Sequence, residues 1–308
     1  MQTRSIGSLE VSVVGIGCNN FGSRLDQRGT DEVVGAALEA GITLFDTADI
    51  YGATRSEEFL GKALGARRDD VVIASKFGMA IDDERRGAAP AYVRRACEDS
   101  LRRLGTDRID LYQLHVPDDA VAIADTIAAL HELQAEGKVN EIGCSNFSSA
   151  QLDDAHRAAG TGAPFRSVQN QYSLLWRAPE NDGVLDACER LGMALLPYYP
   201  LANGLLTGKV RPGEPIPEGT RLALMAPERS AHWFSDEFTS RVTALLDFAE
   251  ENDLSMLSLA FSWLLSHGPV ASVIAGASNA AQVKANAEAP RALDESTIKA
   301  LDALTAPE

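Results

Sequence analysis

The run GITLFDTADIYG places a carboxylate, Asp46, at the end of an apolar strand-like stretch and a phenol, Tyr51, five residues later. A carboxylate taken into an apolar interior is costly unless it is paired, so the chain should hold a cation for Asp46. VVIASKFG supplies one in Lys76, which closes the next apolar stretch and would stand on the neighbouring strand, with both side chains in reach of Tyr51. A phenol titrates near pH ~10, and an adjacent ammonium lowers that value, each unit being worth ~1.4 kcal/mol of preference for the phenolate. On this reading Tyr51 becomes a general acid and base, and Asp46 keeps Lys76 charged and aimed. His115, which closes IDLYQLH, can hydrogen-bond an oxygen on which charge develops. Such a set suits the reduction of a carbonyl. The plainer alternative is a buried ion pair that fixes strand register beside a core histidine, and the convergence of four groups at strand ends argues against it.

The elements that must position these groups are a repeat of strand and helix. The candidate strands are VVGIGC, ITLFD, VVIASK, IDLYQLH, VNEIGCS, SVQNQY, ALLPYY and VASVIAG, and segments with helical period separate most of them. Several of those segments finish on glycine, and Pro90 sits where a first helical turn tolerates it. Eight such units in 308 residues predict a single α/β domain over residues 1–308, a closed (β/α)₈ TIM barrel. RSIGSLEVSVVG predicts an N-terminal hairpin across the bottom. Residues 201–267 form a long insertion between the seventh and eighth strands, with a Pro/Gly-rich loop and two helical patterns, EFTSRVTALLDFAEEN and LSLAFSWLLSH. An open dinucleotide-binding sheet is disfavoured because GIGCNN stops short of Gly-x-Gly-x-x-Gly. GLLTGK falls short of a P-loop, and HELQAE lacks the second histidine of a zinc protease.

A net charge of -16 with no basic run argues against nucleic acid and anionic membranes as partners. No segment has the roughly 18 apolar residues needed to span a bilayer, and the start lacks an unbroken apolar signal core, so a cytoplasmic protein is the expectation. Cys18, Cys97, Cys144 and Cys188 lack metal-ligand spacing and read as reduced, small core side chains. A closed barrel needs no partner to complete its core, which makes a monomer the default and a homo-oligomer the alternative.

FDTADIYG with SEEFLGKAL, then IASKFG, IDLYQLHVPD, GKVNEIGCSNF, VQNQYSLL and PYYPLANGLLTGK, make the chain resemble the aldo-keto reductases over nearly its whole length. The resemblance implies reduction of aldehydes or ketones, aldoses among them, by hydride from NADP(H), with NAD(H) as the second option and no metal. It implies that Asp46, Tyr51, Lys76 and His115 act together, with Tyr51 protonating the carbonyl oxygen. It further implies that Ser145, Asn146 and Gln169 hold the nicotinamide carboxamide and that Tyr198 stacks on the ring. Leu201, Gly204, Leu206 and Lys209 would lie near the pyrophosphate, and Gly276, Ser278, Gln282 and Asn286 around the adenosine. Lys284 is the one cation that this last segment offers a 2'-phosphate, fewer than relatives with a strong grip carry.

The expected partner is a small carbonyl compound, selected at the rim by Phe21, Phe77, Met79, Trp176, Trp233 and Phe234, with Arg177 read as a solvated surface residue. Two rival readings remain at this level. One is a nucleotide-binding regulatory subunit resembling the β-subunits of potassium channels. The other is a barrel lyase or isomerase holding a phosphate at AGAS.

Overall fold

The computed structural model describes residues 1–225 and 231–306. Parts of the insertion and of the domain as delimited by sequence, residues 226–230 and 307–308, lie outside that range. The chain opens with the expected antiparallel hairpin, β1 (Thr3–Ile6) and β2 (Leu9–Ser12). Gly7 turns it at φ +57°, where a side chain would be strained and a Cβ would lie 2.5 Å from the Glu141 carboxylate. That carboxylate accepts the Ser8 backbone N–H at 2.7 Å. Ile6 and Val11 pack with Leu44, Ala74, Leu111, Leu196 and Ala271, so the hairpin closes the lower end of a barrel whose interior is filled by side chains from five of its staves.

The barrel consists of eight parallel strands, β3 (Val14–Gly17), β4 (Leu44–Asp46), β5 (Val72–Phe77), β6 (Ile109–Leu114), β7 (Val139–Ser145), β8 (Ser167–Gln169), β9 (Ala194–Leu195) and β10 (Val273–Gly276). Their order is β10-β3-β4-β5-β6-β7-β8-β9. The ends meet where Leu195 N–H donates to the Pro269 carbonyl at 2.7 Å and Ala271 N–H to that of Leu195 at 3.1 Å. Each strand expected from the sequence is present, and six of the eight are shorter than expected, β9 most of all. After β8 the pairing is reduced to a bridge between Gln171 and Tyr198. After β9, Pro197 has no N–H to give a ladder and Tyr199 turns the chain at φ +52°.

The outer layer consists of α1 (Gln27–Glu39), α2 (Arg55–Leu64), α3 (Pro90–Leu104), α4 (Ile123–Ala135), α5 (Ser149–Ala159), α6 (Ala178–Asn181), α7 (Val184–Leu191), α8 (Asp236–Glu251), α9 (Met256–Ser266), α10 (Ala280–Glu288) and α11 (Glu295–Thr305). Local sequence explains their ends. Asp26, Ser148, Ser235, Ser255, Asn279 and Asp294 each cap a first turn with a side-chain oxygen, Ser148 with Gln151 as a reciprocal capping box. Gly105 and Gly192 end α3 and α7 in the left-handed conformation. Two helices were not anticipated, the single turn of α6 and the terminal α11, whose signal was the Asp294 cap ahead of Ile298 and Leu301. The four cysteines are buried thiols.

Arg177 corrects an expectation. It is neither solvated nor at the rim. Its guanidinium pairs with Glu180 and Asp302 and stacks 5.1 Å from the Trp263 ring centroid, fastening α11 to the barrel wall.

Candidate active site

Register brings the chemistry together. Asp46 pairs with Ala74 across the β4–β5 ladder, and Lys76 lies two residues further along β5. The Lys76 ammonium donates to Asp46 Oδ2 at 2.6 Å and to the Thr47 carbonyl at 2.9 Å. The other carboxylate oxygen, Oδ1, accepts from the Gln169 amide at 2.8 Å and the Gln113 amide at 3.4 Å. The pair is fully enclosed, and these extra bonds compensate the loss of water that would otherwise make a buried ion pair a net cost. Above it, Lys76 Nζ stands 5.1 Å from the centroid of the Tyr51 ring. The His115 ring meets Tyr51 edge-on at 5.8 Å between centroids.

The electrostatics sharpen one expectation and reverse another. Burial works against the Lys76 charge, but Asp46 and Tyr51 outweigh it, and the lysine pKa rises. Tyr51 was expected to become more acidic than a free phenol. Its pKa is instead raised, because burial exceeds the opposing pull of the ammonium. The hydroxyl therefore keeps its proton at neutral pH, which suits a donor. Burial, with Lys76 second, pushes His115 down to about 3, so the imidazole is neutral across the physiological range. Its buried Nδ1 has no partner.

Asp46, Tyr51 and His115 lie on the wall of a cavity of about 1000 Å³ that runs along the rim to the start of α10. Eleven of the twelve residues expected around a cofactor line this cavity: Ser145, Asn146, Gln169, Tyr198, Leu201, Gly204, Lys209, Gly276, Ser278, Gln282 and Asn286. Leu206 does not. It is fully buried, because the 3-10 segment Ala202–Thr207 turns it into the core. Beside His115 the groups are already linked: Tyr198 hydroxyl donates to Asn146 Oδ1 at 2.8 Å, Asn146 Nδ2 to the His115 carbonyl at 2.9 Å, and Ser145 hydroxyl to the Gln169 carbonyl at 2.7 Å. Asn146 holds this position at φ +62°, a conformation that asparagine tolerates better than most residues. At the far end Gln282 Oε1 accepts from the backbone and hydroxyl of Ser278. Lys284 is absent from the wall and points toward Glu288, 3.9 Å away.

Of the residues expected to select a substrate, only Met79 lines the cavity. Phe21 and Phe77 are wholly buried, Phe77 at the end of β5 stacked on Tyr112 at 4.7 Å and Phe21 just after the 3-10 turn Cys18–Asn20. Trp233 packs on Phe238, and neither Trp176 nor Phe234 reaches the wall. The sequence reading missed Asn19, Asn20 and Arg24 after β3, Tyr199 after β9, and Asn203 and Arg221 in the insertion. Asn19 and Asn20 follow an apolar strand just as Asp46 does, and that signal was available. Arg221 lies in a segment with no periodicity, so its place depends on the loop path alone. Its guanidinium stacks 4.9 Å from the Tyr199 ring centroid and donates to the Tyr199 hydroxyl at 3.1 Å. It faces Arg24 closely enough to add to burial in lowering the Arg24 pKa. Among the described residues, no three His, Cys, Asp or Glu side chains converge as a metal ligand set would. No helix among them is long and apolar enough to cross a membrane.

Comparison with known proteins agrees with this architecture. The chain is 34% identical over 313 residues to the uncharacterized oxidoreductase YqkF of Bacillus subtilis, covering 99% of this chain and 97% of that one. It is 36% identical over 289 residues to the aldo-keto reductase YhdN of the same organism, with 91% and 85% covered. Among solved structures, the holo form of aldo-keto reductase AKR11C1 from Bacillus halodurans superposes with a TM-score of 0.82 at 32% identity, over 99% of this chain and 96% of that one. Glycerol dehydrogenase AKR11B4 from Gluconobacter oxydans gives 0.84 at 29% identity, with the same shares covered. The aldo/keto reductase family model matches residues 13–306, and the chain belongs to that family.

Proposed function

We propose that this chain reduces aldehydes or ketones with a nicotinamide dinucleotide, NADP(H) in preference to NAD(H), and that Tyr51 is the proton donor. The observation that carries the reading is the wholly buried Lys76 ammonium, bonded to Asp46 and set beneath Tyr51 at the floor of the groove. Bound along that groove, the nicotinamide would supply a hydride to the carbonyl carbon. Tyr51 gives its hydroxyl proton to the carbonyl oxygen, and Lys76 stabilises the phenolate left behind. Asp46 keeps the ammonium aimed at that oxygen. Neutral His115 donates an N–H to the carbonyl oxygen as negative charge builds on it.

The residues present fit such a dinucleotide. Arg24, Lys209 and Arg221 offer three cations to its phosphates, and Gly204, at φ +109°, leaves the backbone open to close approach. Tyr198 provides an aromatic face beside Asn146. Gln169, whose side-chain nitrogen donates to Asp46, keeps its side-chain oxygen Oε1 for the carboxamide. Gly276, Ser278, Gln282 and Asn286 would surround the adenosine, a wall without a cation, so discrimination against NADH should be modest.

The test is loss of nicotinamide absorbance with NADPH and with NADH against a panel of small aldehydes, ketones and aldoses. Turnover with at least one aldehyde is expected, reduced about 10³-fold in Tyr51→Phe with dinucleotide affinity retained. Binding without turnover on any carbonyl would replace this reading by a regulatory one. Failure of both nucleotides to bind would end it.

A further inference from the structure

The turn that carries Tyr51 holds a second acid which the proposed chemistry does not use. Asp49 is 1% exposed, and neither carboxylate oxygen has a hydrogen-bond partner. Its own N–H donates to the Lys76 carbonyl at 3.0 Å, so it lies one backbone bond from the residue beneath Tyr51. The groups around it leave it no counter-ion. Glu57 of α2 faces it and repels a negative charge. Arg103 of α3 is the nearby cation, but its Nε is committed to Glu57 Oε2 at 2.6 Å and its Nη2 to the Ser100 hydroxyl. The remaining Glu57 oxygen accepts from Ser75 at 2.6 Å. What is left is the Tyr92 hydroxyl of α3, buried and itself unpartnered, with the equally unpartnered Tyr112 hydroxyl of β6 beyond it. Arg85, Arg103 and Arg95 also act on Tyr92.

A buried carboxylate with no cation bonded to its oxygens is disfavoured as the anion, whereas a carboxylic acid has a proton to donate, and the nearby Tyr92 hydroxyl is a phenol oxygen without another partner. We propose that Asp49 is a positioning residue of this turn that works as the neutral acid, its proton donated to the Tyr92 hydroxyl and, once lost to solvent, no longer holding Tyr51 in place. Burial, then Glu57, raises its pKa from 3.8 to about 7, against Arg103, the Ile50 N–H and Tyr92, which lower it. The sign follows: with the folded value above the unfolded one, the stability contributed by the protonated form is complete below pH 3.8 and is lost as pH rises through about 7.

The experiment compares the full-length protein with Asp49→Asn, which keeps shape and neutrality, from pH 6 to 8.5. The wild type should lose about 2 °C of melting temperature relative to Asp49→Asn over that range. The Tyr51 ring ¹³C resonance, assigned by its disappearance in Tyr51→Phe, should move with a midpoint near ~7 in the wild type and stay fixed in Asp49→Asn. Coincident melting curves would overturn the proposal, and so would a Tyr51 resonance that moves identically in both proteins. Neither readout needs turnover, so failure of the carbonyl-reductase reading, on which only the relevance of Tyr51 rests, would be told apart. Where turnover is measurable, Asp49→Ala should lower kcat about tenfold at pH 6.5 with KM unchanged, and Asn should restore it.

Discussion

The two ends of the barrel solve opposite problems with the same kinds of residue. At the lower end, Arg4 donates to the carbonyls of Leu265, His267 and Val270 where the chain leaves α9, Glu141 takes the Ser8 N–H, and Ile6 and Val11 fill the space between the strands. Charged groups there are matched within the chain. At the upper rim, Arg24 and Arg221 face each other across a groove, His115 Nδ1 and both Asp49 oxygens lack partners, and Asn146, Tyr199, Ala202 and Asn203 all sit at positive φ. Matched groups contribute to the folded state, whereas unmatched ones wait for a ligand or a proton. Damage at the bottom should therefore register in melting temperature, and damage at the rim in kinetics and binding.

Lys76 is the place to break that division, because it serves both roles. Lys76→Met leaves Asp46 buried without its cation, so it should cost about 3–5 kcal/mol in denaturant titration and also remove at least about 10³-fold in kcat. A protein that lost activity at full stability would mean that the ion pair is not the keystone its geometry suggests. Ile6→Ala should cost about 3 kcal/mol through the cavity it opens and leave KM unchanged, since of the cluster it packs in only Ile274 reaches the groove. A changed KM would show that the two ends communicate. The smallest effect belongs to Arg221→Gln, which should weaken NADPH about tenfold in fluorescence titration at low salt, less at high salt, with melting temperature unaltered. Equal weakening at all salt concentrations would assign Arg221 to packing on Tyr199 and not to the phosphates.

The same division explains what could be read from the sequence. Asp46, Lys76, His115, Ser145 and Gln169 were legible because each closes or immediately follows an apolar run of period two, and a parallel barrel puts all such ends on one side. The eight strands and most helices were legible for the same reason. Leu206 was misplaced and Arg24 and Arg221 were missed because their directions depend on loop path, which follows from left-handed residues such as Ala202 and Asn203 that no periodicity marks. Phe21 and Phe77 were assigned to the rim by residue type, whereas one residue of strand register decides between groove and core for Phe77, and the 3-10 turn after β3 does so for Phe21. The raised Tyr51 pKa escaped a reading of charges alone because the opposing quantity is burial, which belongs to the assembled barrel.

The junction between β9 and the chain at β10 holds the barrel shut through three backbone bonds, two at Leu195 and one from Ile274 N–H to the Pro197 carbonyl at 3.4 Å, while β6 and β7 share five register pairs. A cylinder sewn so lightly at one line has a preferred place to part. The insertion departs from and returns to that same line, and an opening there would leave the staves that carry Asp46 and Lys76 undisturbed on the opposite wall.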